Sequence, residues 1–131
     1  MFHESKISAP VILSKSKVYL REDDIMVFEI CENVEIEVKD MMEMIQTAGV
    51  IGEGKAYKNM IIAGKYASIS NDAQNVMDEE ESLRYTIAEA IVIQSLSQRI
   101  LGNFYLKIVS KRRPARLFNT KEKAIEWLNL F

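Results

Sequence analysis

Cysteine, histidine, proline and tryptophan are scarce in this chain of 131 residues: one Cys, one His, two Pro and one Trp. A lone cysteine, Cys31, forbids an intrachain disulfide and a thiolate zinc cluster. A lone histidine, His3, lies in a terminal segment expected to fray, so no Ser–His–Asp triad has a credible base. Two prolines and five glycines are too few to build a linker, and one domain over residues 1–131 is expected. Neither charge sign dominates. Lys plus Arg is 17 against 19 Asp plus Glu, a net −2 that is too balanced for a protein that grips nucleic acid. No apolar run approaches the roughly 18 residues that cross a bilayer. The opening Met1-Phe-His-Glu-Ser-Lys6 lacks the basic-then-apolar build of a signal peptide. These absences predict a soluble, cytoplasmic protein with no nucleic-acid partner and no integral membrane association.

What is present is ordinary for a globular chain: 48% apolar and 27% charged residues, enough for one hydrophobic core. Val18–Leu20 and Ile25–Ile30 are β-branched and aromatic around the polar Arg21-Glu-Asp-Asp24, which predicts a hairpin over 17–30. Val38, Met41, Met42, Ile45 and Ala48 repeat at helical spacing, which predicts a helix over 38–48 capped by Gly49. Tyr57–Ala63 is a short apolar run between glycines, the pattern of a buried strand. Ser70 caps a helix expected over 71–79.

The run Leu83–Leu101 is expected to be the longest helix, ended by Gly102, with Ile87–Ile93 apolar on more than one side. Residues 103–109 alternate like a strand, and Ala115–Phe118 is a second one. Asn119, with Glu122 three residues on, offers a capping box for a last helix that buries Ala124, Ile125, Leu128 and Phe131. The predicted order is β-β-α-β-α-α-β-β-α, an α/β fold with a mixed sheet flanked by helices.

Few constellations promise chemistry. Gly49–Lys55 fits G-x-x-x-x-G-K, but Ala56 stands where Ser or Thr must hold Mg²⁺. A helix precedes this loop and a strand follows, the reverse of a phosphate loop, so it reads as a helix cap and turn. Cys31 reads as a small, semi-buried residue after a strand. Asp78–Glu81 reads as a solvated turn, since metal ligands come from converging elements. Lys111, Arg112, Arg113 and Arg116 form a basic loop able to hold phosphate, an acidic partner or an anionic membrane. The plain alternative is a charged loop that protects a sheet edge. Met41 and Met42 belong to the core stripe of their helix, while Met44 lies off it. No metal site and no cofactor are expected.

Ile93–Lys107 and Arg113–Leu128 resemble small bacterial single-domain proteins of the STAS-like (SpoIIAA-like) fold, above all uncharacterised ones from Bacteroidetes. The close Leu117-Phe118, Glu122, Ala124, Trp127-Leu128 is similar to the F-x-x-x-E-x-A-x-x-W-L ending of that group. The resemblance covers residues 56–130. It implies a non-enzymatic module that binds protein partners. In anti-sigma-factor antagonists of the family a serine in a D-S-S-G motif is phosphorylated. The matching stretch here is Ala67-Ser-Ile-Ser70-Asn-Asp72, which lacks the acid and the glycine, and Ser70 falls near the phosphosite.

The expected function is therefore regulation or scaffolding through an unidentified protein partner, with Ser70 as a candidate switch. The alternative is a small-molecule or lipid carrier with an apolar pocket between helices and sheet, as in SEC14-like domains. Met41, Met44, Ile87, Ile91 and Ile93 are the candidate interaction surface. Ile87, Ile91 and Ile93 cannot all face one core from a helix, which predicts a homodimer.

Overall fold

The computed structural model describes residues 9–77, 86–109 and 112–131. Among them, Val11–Ile12 (β1), Ser16–Leu20 (β2), Ile25–Ile30 (β3), Tyr57–Ile62 (β5), Thr86–Val92 (β7) and Ala115–Phe118 (β8) form one sheet in the order β1-β2-β3-β5-β7-β8. The first two pairings are antiparallel and the other three parallel. Glu35–Ile36 (β4) and Ser68–Ile69 (β6) pair as a separate small parallel ladder. The helices are Val38–Ile51 (α1), Asn71–Met77 (α2), Leu96–Val109 (α3) and Lys121–Leu128 (α4).

Strand order advances in one direction from β3 to β8, and crossovers between parallel strands are right-handed. The connecting helices α1, α2 and α3 therefore share one face of the sheet. Their Met41, Met44, Ala48, Ala73, Tyr105 and Val109 pack on Val18, Leu20, Met26 and Phe28. On the opposite face Ala124 and Leu128 of α4 cover Ile25, Val27, Met60, Ala88, Ala90 and Val92. The hairpin closes as expected: Arg21 N–H donates to the Ile25 carbonyl at 2.9 Å, and Asp24 takes φ 61°, which an aspartate tolerates.

Lys15 ties the hairpin to α1. Its Nζ donates to Asp40 Oδ2 at 2.7 Å and to the Glu35 carbonyl at 2.8 Å. The same carboxylate accepts the Glu37 backbone N–H at 2.9 Å. Burial pushes the Asp40 pKa up, but the hydrogen bonds from Lys15 and Glu37 outweigh it and hold the carboxyl below its ordinary value.

The fold class agrees with the sequence reading: a mixed, mostly parallel sheet flanked by helices. The element order gains three two-residue strands that the sequence reading lacks, β1, β4 and β6, and is corrected at one larger place. The expected helix over 83–101 and strand over 103–109 are exchanged: Thr86–Val92 is a strand and Leu96–Val109 a helix. β7 lies inside the sheet with both faces covered over most of its length, so both sets of its side chains are apolar apart from the buried Glu89. Such a run has no polar side, and it mimics a sandwiched helix. In α3 the buried positions are Gln98, Gly102, Tyr105 and Val109, a helical 4-3-4 spacing that the alternation over 103–109 hid. Gly102 does not end a helix but sits inside one. A Cβ there would stand 2.8 Å from Leu117 Cδ2, so glycine lets α3 lie close on β8.

Smaller boundaries also move. α1 runs through Gly49 to Ile51 and is capped by Gly52. The last helix is capped by Thr120 rather than Asn119, its Oγ1 accepting the Lys123 N–H at 3.3 Å. Phe131, expected in the core, is half exposed.

Candidate functional site

The register of the parallel half sets out the site. Successive cross-strand rows on the face toward α1 and α3 read Met26-Asn59-Glu89-Ala115 and Phe28-Ile61-Ile91-Leu117. The second row, with Ile30 and Ile93 one step beyond, is apolar. Above it α1 and α3 do not quite meet, and an apolar cavity of about 110 Å³ remains. Met41 and Met44 of α1, Ile61 and Ile91 of the sheet, Ile93 just after β7, and Leu101 of α3 line it. Ile36, Ser68 and Ile69 of the small β4–β6 ladder form one wall.

Gln98 is the polar clasp of this cavity. Its Nε2 donates to the carbonyls of Gly64 at 2.9 Å and Ala67 at 3.2 Å. Its Oε1 accepts the Gln94 N–H at 2.7 Å. One amide thus satisfies three backbone groups and fixes the first turn of α3 against the loop after β5.

The first row makes a polar floor beside the cavity. A smaller void of about 40 Å³ is bordered by Asn59, Thr86, Glu89 and Arg113. Met41, Met44 and Ile61 line both voids and separate them. Asn59 Nδ2 donates to Thr86 Oγ1 at 2.8 Å. The Glu89 carboxylate accepts the Tyr105 hydroxyl at 2.7 Å and Arg113 Nε at 3.0 Å, and Arg113 Nη2 donates to the Tyr105 oxygen at 3.0 Å. Burial pushes the Tyr105 phenol well above its ordinary pKa; the Glu89 charge adds to this and Arg113 opposes it. Burial pulls the Arg113 pKa down, but Glu89 and Tyr105 reverse that and leave it raised. The charges of Glu89 and Arg113 are spent on each other, so the floor offers hydrogen bonds and no net charge.

The structure relocates several residues singled out in the sequence. Met41, Met44, Ile91 and Ile93, expected on an interaction surface, line the cavity instead. Helix α1 turns Met44 inward, contrary to its expected place off the core stripe. Ile87 alone of the five is well exposed, at 47%, and it stands at the start of a strand. With Thr86–Val92 a strand, all its apolar residues but Ile87 divide between two covered faces, and the helical argument for a two-fold partner disappears. The basic loop divides too. Arg112 and Arg116 are exposed, Arg116 lying 5.4 Å from the Phe118 ring, whereas Arg113 is buried on Glu89 and is no surface anion ligand. Lys111, His3 and Asp78–Glu81 lie outside the described residues. Cys31 is exposed rather than semi-buried. Ser70 caps α2 as expected: its Oγ accepts the Ala73 N–H at 3.2 Å.

Glu89 and Gln98 went unrecognised as site residues. Glu89 did leave a signal: a single acid in the apolar run Ile87–Ile93 must find a buried partner once that run is central.

No curated protein matches the chain. Among solved structures it is similar to an uncharacterised protein of the DUF3478 family, with a SpoIIAA-like fold, from Shewanella loihica PV-4. The TM-score is 0.58 at 14% identity, covering 98% of this chain and 96% of that one. The likeness shows a SpoIIAA-like fold. Over residues 18–131 the sequence matches the family model described as "Domain of unknown function (DUF7793)", and the chain belongs to that family.

Proposed function

We propose that the protein is a non-catalytic binding module that takes a small apolar molecule into the cavity between α1, α3 and the sheet. The observation that carries this reading is the cavity itself, apolar on nearly every side and half open to the surface, so that a ligand can enter it. Its volume of about 110 Å³ sets the size of the ligand. An apolar void of about 150 Å³ holds benzene, and usual ligand pockets run from about 300 to 1,000 Å³. A short aliphatic chain fits, a six-membered ring fits once the walls give a little, and a whole lipid needs much larger wall movement. The thioethers of Met41 and Met44 are the walls that move most easily.

Binding of benzene and of short alkanols, followed by amide chemical-shift changes, tests the reading. Shifts confined to residues around Ile61, Ile91 and Leu101 are expected. Ala67→Leu fills the cavity from its rim and is expected to abolish them while the fold persists. Shifts that survive Ala67→Leu, or none in the wild type, count against a ligand here.

The regulatory reading keeps one specific support. Ser70 follows directly on Ser68 and Ile69 of the cavity wall and caps α2. A phosphate there would add charge at the start of α2, beside Asp72, and would disturb the cap that the Ser70 hydroxyl makes. On this reading Ser70 governs a protein partner, and capture of one by the wild type but not by Ser70→Asp is the test.

A further inference from the structure

Among the described residues, nothing covers an apolar stripe on the outer face of α3. Leu96, Ile100 and Phe104 recur every four residues and are 74%, 57% and 64% exposed. The inner face of the same helix is fully used: Gln98, Leu101 and Tyr105 line the cavity and Gly102 rests on Leu117. Charge is segregated around the stripe as well. The helix itself carries two cations, Arg99 and Lys107, and no acid, although the whole chain is net −2. Arg99 flanks the stripe. Lys107 stands on it, its Nζ 5.6 Å from the Phe104 ring centre. Arg112 is exposed in the turn that closes the helix.

We infer that α3 docks this protein flat on an anionic membrane surface, with Leu96, Ile100 and Phe104 entering the headgroup boundary and Arg99 and Lys107 meeting lipid phosphates. A helix with bulky apolar side chains on one exposed stripe, and with cations and no acid in its own sequence, is the build of an interfacial helix. Anionic lipid supplies the complementary charge. A protein partner suits the stripe less well. Three side chains fall far short of the roughly 800 Å² per side of a specific protein interface. The inference concerns the outside of α3 and does not depend on a ligand in the cavity.

Vesicle co-sedimentation with the full chain tests it, using phosphatidylcholine alone and an equal mixture of phosphatidylcholine and phosphatidylserine. The wild type is expected to sediment with the mixed vesicles, about tenfold less with the neutral ones, and less with either as salt rises. Ile100→Glu and Phe104→Glu are each expected to lower binding about tenfold with the melting temperature unchanged, since both side chains already face water. Ile100→Ser, a milder change, is expected to lower it several-fold and guards against a folding defect. Failure to bind mixed vesicles overturns the inference, and so does binding that these variants leave intact. A dimer in light scattering that Ile100→Glu dissociates, without vesicle binding, overturns it in favour of a second copy of the chain.

Discussion

Glu89 in β7 and Arg113 just before β8 form an ion pair of 2.9 Å with side chains only 2% and 5% exposed. The parallel register delivers the arginine: Glu89 pairs with Ala115, two residues beyond it. Tyr105 adds α3 to the pair through its hydroxyl. Three successive elements, β7, α3 and the turn before β8, are locked at one point beside the cavity.

Breaking this lock from one side leaves a buried charge without its counter-ion. Arg113→Met is expected to cost about 3–5 kcal/mol in urea unfolding. Glu89→Leu combined with Arg113→Met is expected to recover most of that loss, because desolvation consumes much of what a buried pair gains. A cost below about 1 kcal/mol for Arg113→Met would show that the pair is not the lock.

Alkaline pH is expected to unfold the protein through two phenols. Tyr105 is raised well above 10.0, by burial first and then by the Glu89 charge. Tyr19 is pushed up to about 12, by burial first and then by its hydrogen bond to Glu29. The folded state keeps these protons where the unfolded chain has lost them. Their contribution is therefore complete below pH 10 and declines as the pH rises from about 10 through about 12. Tyr105→Phe is expected to flatten that decline. Urea midpoints measured across this range check it, and a wild-type midpoint that stays level to pH 12 contradicts it.

Ser70→Ala removes the side-chain cap of α2 and is expected to cost about 1 kcal/mol. Ser70→Asp is expected to cost little, because aspartate also caps. Thermal melting of the two variants side by side decides the point. Equal losses would mean that the Ser70 hydroxyl contributes nothing as a cap.

Gly64 is expected to tolerate no side chain. A Cβ there would lie 2.3 Å from the Ile30 carbonyl oxygen and 2.5 Å from that of Cys31, backbone atoms that cannot swing aside. Gly64→Ala is expected to destabilise the fold by more than about 2 kcal/mol. Gly54→Ala, in open space at φ +77°, is expected to cost about 1 kcal/mol. Chemical denaturation of both variants tests this ranking, which fails if Gly64→Ala is the milder change.

The hairpin around Arg21–Asp24, helix α1, strand β5, the Ser70 cap and the last helix are legible in the amino-acid sequence alone. Each is set by signals within a few residues: turn formers, a helical apolar stripe, a capping oxygen. These signals also supported the α/β class. What they could not decide is which of two apolar segments, Ile87–Ile93 or the stretch after Leu96, is the strand. A strand covered on both faces loses its polar side, and only the neighbours β5 and β8 and helix α4 reveal it as central. The same limit hid the site. Met41, Met44, Ile91 and Ile93 are apolar whether they face a partner or a cavity. Their destination depended on how closely α1 and α3 approach across the sheet. Arg113 looked like one more charge in a basic loop, because its counter-ion lies 24 residues away and meets it only through the parallel register. Local chemistry chose the elements, and long-range pairing decided which of their side chains became core, cavity and surface.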